Sequence, residues 1–153
     1  MNKLILICLL APLISFGGKK AWPGVEYTEV KAFHWPVKMQ TRSLIDKNFK
    51  FHKGVVDPKG KVLSKDQIAK LSKAINDKHP SHPAAGCYIP HNLFVFYNNG
   101  KPVAYAEICF DCMGYNAFPN QKFKYWDLKG LAALCKELGI PYGTKSVKKK
   151  KGK

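Results

Sequence analysis

Asn92-Leu-Phe-Val-Phe-Tyr97, Asn98-Asn-Gly-Lys101 and Pro102-Val-Ala-Tyr-Ala-Glu-Ile108 read together as one β-hairpin. Two apolar runs, rich in aromatic and β-branched side chains, flank Asn99-Gly100. That dipeptide accepts the positive φ that both central positions of a type I′ turn require. With the turn centred there, Asn98 faces Lys101. One-for-one pairing outward then sets Phe94 against Tyr105, His91 against Ile108 and Cys87 against Cys112. The open end of the ribbon therefore collects Cys87, Cys109 and Cys112, three of the five cysteines, together with His91. In this register Ile89, Leu93, Val95, Ala104, Ala106, Ile108 and Phe110 share one apolar face. The other face mixes Asn92 and Glu107 with Phe94, Phe96, Val103 and Tyr105, so it reads as half covered, with Asn92 and Glu107 in solvent.

Upstream of the hairpin, residues 25–35 are rich in strand formers, and Pro36 removes the donor that would continue the ladder. Residues 38–48 carry no clear pattern. Residues 49–56 predict a second strand, and Asp57-Pro-Lys-Gly60 suits a type I turn that returns Val62 and Leu63 onto Val55 and Val56. Ser64 and Gln67 form the capping-box signature. Ile68, Leu71 and Ile75 then make the apolar stripe of a helix over 65–77, which ends before Pro80. Downstream, residues 113–126 read as a long aromatic loop. Asp127 caps a second helix over 128–138, with Leu128, Leu131, Ala132, Cys135 and Leu138 on one face, and Gly139 followed by Pro141 stops it. Two helices over one face of a mostly antiparallel sheet is the simplest way to bury both stripes, so the sequence predicts an α+β fold.

The ends differ in character from this middle. Met1-Asn-Lys3, an apolar run over 4–16 and the small residues Ser15 and Gly17 have the form of a secretory signal peptide cut after residue 17. The run is shorter than the roughly 20 apolar residues of a spanning helix. Residues 144–153 form a lysine-rich tail without a core, read as disordered. The expected organisation is a signal over 1–17, one domain over 25–143 and the tail, in an exported chain, periplasmic or secreted, with no span in its mature part. The formal net charge is +16, and setting aside Lys3 and the six tail lysines leaves +9. A basic surface of this size attracts polyanions and anionic lipid head groups.

Three chemistries compete for the clustered thiols. Opposed residues on antiparallel strands lie about 4.5–5.5 Å apart at Cα, within disulfide range. A Cys87–Cys112 bond would close a loop of roughly 25 residues and contribute about 3 kcal/mol through the unfolded state. Alternatively, Cys87, His91, Cys109 and Cys112 supply a Cys3His ligand set for zinc. An extended run from Cys87 to His91 spans about 13 Å, so one ion could join them only if that segment turns. A redox pair at Cys109 and Cys112 is the third reading, disfavoured because Met113-Gly-Tyr-Asn is a poor start for the helix such pairs use. His79 and His82, between prolines, read as solvated before they read as ligands.

Cys87-Tyr-x-Pro-His91, the Phe-Val-Phe-Tyr strand, Gly100-Lys-Pro-Val-Ala and Glu107-Ile-Cys-Phe-x-Cys112 resemble a group of small exported bacterial proteins of uncharacterised function. The likeness spans about residues 55–143 and implies a shared local role for these Cys and His residues. It supplies no activity, and Cys135 and the lysine tail have no counterpart in it.

Function therefore reads first as a non-catalytic binding module with a Cys-locked hairpin and no cofactor, recognising an anionic polymer or lipid head group. Lys122, Phe123, Lys124, Tyr125 and Trp126, where cations alternate with stacking surfaces, are the candidate contacts. The alternatives are a zinc-type metal protein or, further off, a thiol-redox or Cys-dependent enzyme. A Cys-His hydrolase would need a thiol within hydrogen-bond reach of His91. A half-apolar hairpin face also admits a subunit of an envelope assembly.

Overall fold

A computed structural model describes residues 21–36, 38–121 and 125–143. The expected signal peptide over 1–17, Lys122, Phe123, Lys124 and the tail over 144–153 lie outside the described residues. Five strands form one antiparallel sheet: β1 (Glu29–His34), β2 (Lys61–Val62), β3 (Asn92–Asn98), β4 (Lys101–Cys109) and β5 (Gly114–Phe118), in the order β2-β1-β3-β4-β5. Two helices, α1 (Lys65–Asn76) and α2 (Leu128–Glu137), share one buried cluster with one face of this sheet, which makes the fold α+β. Among the described residues no helix is long and apolar enough to cross a membrane.

Both helix starts follow their capping chemistry. Ser64 Oγ accepts from Gln67 N at 3.3 Å, and Gln67 Oε1 accepts from Ser64 N at 2.9 Å, closing the box that opens α1. Asp127 Oδ1 accepts from Gly130 N at 2.9 Å at the start of α2. That helix ends in a Schellman arrangement: Ile140 N donates to Cys135 O, Gly139 N donates to Lys136 O, and Gly139 has φ +69°.

The hairpin turns at Asn99 (φ +49°) and Gly100 (φ +77°), and Asn98 pairs with Lys101 and Tyr97 with Pro102. Beyond that the expected register fails. Phe96 pairs with Ala104, so Val103 is an extra residue in β4, a bulge. Every later pair is displaced by one: Val95 meets Tyr105 where Phe94 was expected, and Asn92 meets Ile108 where His91 was expected. Because side chains alternate with period two, the slip exchanges the faces of β3 against β4. Phe94 and Phe96 accordingly share the helix side with Ala104, Ala106 and Ile108, and each aromatic stands across from an alanine. Leu93 and Val95 join Tyr105 on the opposite side.

That opposite side is covered, not half open. Trp35, Leu44, Ile45 and the half-buried Met39, Phe49, Phe51 and Val55 lie over it as an irregular layer drawn from residues 35–56. Two expectations are corrected here. Residues 49–56 do not form a strand: Phe49 has φ +60°, and Phe51 makes only an isolated bridge to Ile45. Asp46 Oδ1 instead binds the N–H groups of Asn48 and Lys50, which folds the chain into a tight loop. The return after Asp57-Pro-Lys-Gly60 pairs with β1, through Lys31↔Val62 and Ala32↔Lys61, not with Val55 and Val56. Part of the aromatic loop after Cys112 is also a strand, since β5 pairs along β4 from Cys109↔Gly114 to Tyr105↔Phe118.

Candidate functional site

The thiols meet at the end of the β3–β4 ribbon, by a different route from simple strand opposition. Pairing stops at Asn92↔Ile108, and residues 87–91 are irregular. Ala85 N donates to Cys112 O at 2.9 Å, which lays the incoming segment over the turn between β4 and β5. Cys87 Sγ then stands 2.7 Å from Cys112 Sγ. This is longer than the roughly 2.05 Å of a disulfide, and both cysteines carry free thiols. Cys87 is exposed, while Cys112 and Cys109 are buried at 3% and 2% exposure.

The Cys87 thiol titrates above its ordinary range, first because it hydrogen-bonds to Cys112. Burial pushes the Cys112 thiol up as well, with a contact to Cys109 adding to the shift. Thiols held in the protonated form are weak nucleophiles but suitably placed partners for each other. Cys135, on the buried stripe of α2, is pushed up to about 12 by burial alone and belongs to the core.

His91 is held at the end of β3. Its main chain is fixed on both sides: His91 N donates to Ile108 O at 3.2 Å, and His91 O accepts from Trp35 N at 2.9 Å. The ring is buried, Nδ1 has no partner among the described residues, and burial lowers its pKa below the usual histidine range. Among the described residues no group of three or more His, Cys, Asp or Glu side chains is arranged to hold a metal ion. Of the four residues of the expected Cys3His set, Cys87 and Cys112 are in direct contact.

Glu107 and Asn92, expected together in solvent, are both fully buried and lie on opposite faces. Asn92 Nδ2 donates to Pro141 O at 2.7 Å, tying the ribbon end to the segment after α2. Glu107 Oε1 accepts from Ser43 Oγ at 2.9 Å, Leu44 N at 2.5 Å and Ile45 N at 3.2 Å, and Asn116 Nδ2 reaches Oε2 at 3.4 Å. Burial raises its pKa, and these hydrogen bonds oppose that rise. The carboxylate is the peg on which the covering layer hangs.

Of the predicted anion-binding stretch, only Tyr125 and Trp126 are described. Tyr125 is 45% exposed. Trp126 is 2% exposed, stacked on Tyr115 at 4.3 Å and 11°, with Nε1 donating to Gln121 Oε1. One face of its ring is taken by Tyr115. The structure offers cations elsewhere. Lys38, Arg42, Lys47, Lys50 and Lys53 are all exposed on the stretch that covers the sheet, and Lys59 and Lys61 are exposed in the turn and strand that follow it, Lys61 paired with Ala32 of the helix-side cluster. The two acidic residues of 38–61 hold turns: Asp46 Oδ1 accepts from Asn48 N and Lys50 N, and Asp57 Oδ1 accepts from Lys59 N. The charge density of 38–61 is visible in the sequence; that its first part, to Val56, lies over the sheet is not. No protein-family model, curated protein or solved structure matches this chain.

Oxidising Cys87 and Cys112 to a disulfide should raise the melting temperature by roughly 10 °C, since a loop of about 25 residues is closed in the unfolded chain. Calorimetry with and without reductant measures this. The shift should vanish in Cys87→Ser and in Cys112→Ser, and a shift that survives either change assigns the bond elsewhere.

Proposed function

We propose that the chain is an exported, non-catalytic binding domain whose hairpin end is locked by a Cys87–Cys112 bond and whose basic layer recognises an anionic polymer. The observation that carries this reading is the set of five exposed cations on the covering layer, Lys38, Arg42, Lys47, Lys50 and Lys53, with the one carboxylate among them, Asp46, engaged in a turn. An irregular layer packed on the sheet and tied to it at Glu107 can present long side chains along a flexible polyanion without disturbing the sheet beneath. The free thiols of Cys87 and Cys112 fit the same role once oxidised, because a bond at the ribbon end would stiffen the support in an oxidising compartment. The raised thiol pKa values and the commitment of Glu107 to main-chain donors favour binding over chemistry.

The test is retention on a heparin-like polysaccharide, and on anionic vesicles, across a salt series. Each lysine facing a strongly anionic surface is worth about 1 kcal/mol. Changing Lys47, Lys50 and Lys53 to glutamine should therefore weaken polysaccharide binding about a hundredfold at low salt. Salt-independent retention, or equal retention by the triple variant, overturns the proposal. Retention on vesicles alone moves the partner to a lipid surface.

A further inference from the structure

We infer that Cys87, Cys112 and Cys109 form a relay that takes in a small disulfide at the surface and passes the oxidised bond inward, freeing Cys87 again. The inference rests on the Cys87–Cys112 bond of the reading above and adds a third thiol to it. Cys112 is the shared member: its Sγ stands 2.7 Å from Cys87 Sγ and also touches the Cys109 thiol. Access is graded along the row, with Cys87 exposed and Cys112 and Cys109 buried. A disulfide arriving from solvent is therefore met by Cys87. The contacts are built into the fold. Ala85 N donates to Cys112 O and Ile89 N donates to Cys112 Sγ, so the segment is tied to the turn on both sides of Cys87. Tyr88 packs on Gly114, where a Cβ would come within 2.9 Å of its ring.

Each step is an exchange at sulfur. The Cys87 thiolate attacks the incoming disulfide and forms a mixed disulfide. The expelled thiolate takes up the proton that Cys87 has lost. Cys112, deprotonated in turn, attacks Cys87 Sγ and expels the second small thiol. Two protein thiols are then oxidised and the small disulfide is reduced to two thiols. Cys109 next attacks Cys112 Sγ: the Cys109–Cys112 bond forms, the Cys87–Cys112 bond breaks, and Cys87 recovers the proton that Cys109 gives up. This last step moves the bond without net oxidation. The Ile89 N–H favours the Cys112 thiolate that the second step needs. No helix N-terminus is required at Cys109, because the first attack belongs to the exposed Cys87.

Oxidised glutathione at about pH 8.5, near the ordinary thiol pKa, is the probe. The folded full chain is oxidised, freed of glutathione and treated with N-ethylmaleimide, and its bonds and labels are mapped by peptide mass spectrometry. The parent should carry label or glutathione on Cys87 beside a Cys109–Cys112 bond. Cys109→Ser should stop at the Cys87–Cys112 bond, with Cys87 labelled roughly tenfold more slowly or less. Cys87→Ser should keep Cys109 and Cys112 reduced roughly tenfold longer than the parent, since it lacks the exposed entry thiol. The parent's own map reads the exchange even where a variant does not fold. An oxidised parent with Cys87 bound only to Cys112 overturns the relay and leaves the lock proposed above standing. A folded Cys109→Ser without a Cys87–Cys112 bond overturns both. Oxidation of folded Cys87→Ser at the parent's rate overturns the relay as well.

Discussion

Glu107→Ala should cost the fold about 3–5 kcal/mol, measured by urea denaturation, and should open residues 38–56 to proteases before the rest of the chain. The change removes the acceptor shared by Leu44 N, Ile45 N and Ser43 Oγ. Two main-chain donors are then buried unpaired, at about 1–3 kcal/mol each, above the space left by the side chain. A loss under about 1 kcal/mol would mean that the layer is held by its aromatic contacts alone. Glu107→Gln keeps an oxygen for the same donors and should be far milder. It should also remove a pH dependence. Burial raises the carboxyl pKa in the folded state, so the folded chain holds that proton more tightly than the unfolded one. The stability from this group is therefore greatest at low pH and falls as pH climbs from the ordinary glutamate value through the raised one, then levels off. Melting curves from mildly acidic to neutral pH should show that decline in the parent chain and a flatter profile in Glu107→Gln.

Trp126→Ala should be about as severe, at roughly 3–5 kcal/mol. The ring is 2% exposed, stacked on Tyr115 and tilted against Trp22 at 6.2 Å, so the alanine leaves a large void at the junction of the sheet with α2. Tyr125→Ala, one residue earlier and 45% exposed, should stay within about 0.5 kcal/mol. Thermal unfolding of the two variants side by side separates a core position from a surface one. If Trp126→Ala were as mild as Tyr125→Ala, the packing described around it would be wrong.

The elements most legible in the sequence were those with local signals. Ser64 with Gln67, Asp127, Gly139 and Asn99-Gly100 each carry their own hydrogen-bonding or φ requirement, and the helices and the turn form where those residues stand. What escaped reading depends on distant partners. Nothing near Val103 announces a bulge, yet that residue decides which side of the sheet Phe94 and Leu93 occupy. Glu107 looked solvated because its donors lie more than sixty positions away, at Ser43, Leu44 and Ile45. The meeting of Cys87 with Cys112 was legible in outcome and not in path. The regular ladder expected to join them stops short, and an irregular segment brings them together. Lysines before Trp126 give it the look of a ligand contact, while its burial follows from Tyr115 on β5, a strand with no clear signal in the sequence.

The supernumerary Val103 also makes the ribbon unevenly tolerant of changes in length. Loss of one residue between Pro102 and Ala104 would join Tyr97↔Pro102 directly to Phe96↔Ala104, leaving every partner below them in place. The same loss at Tyr105 or Ala106 would carry the strand's remaining side chains through the sheet, sending the Glu107 carboxylate among the helices and Ile108 beneath the lysine-bearing cover. Descendants of this chain that shorten near the tip lose only the half-buried Val103 from the helix-side cluster, while a missing codon a few positions further along exchanges the faces of the rest of the strand.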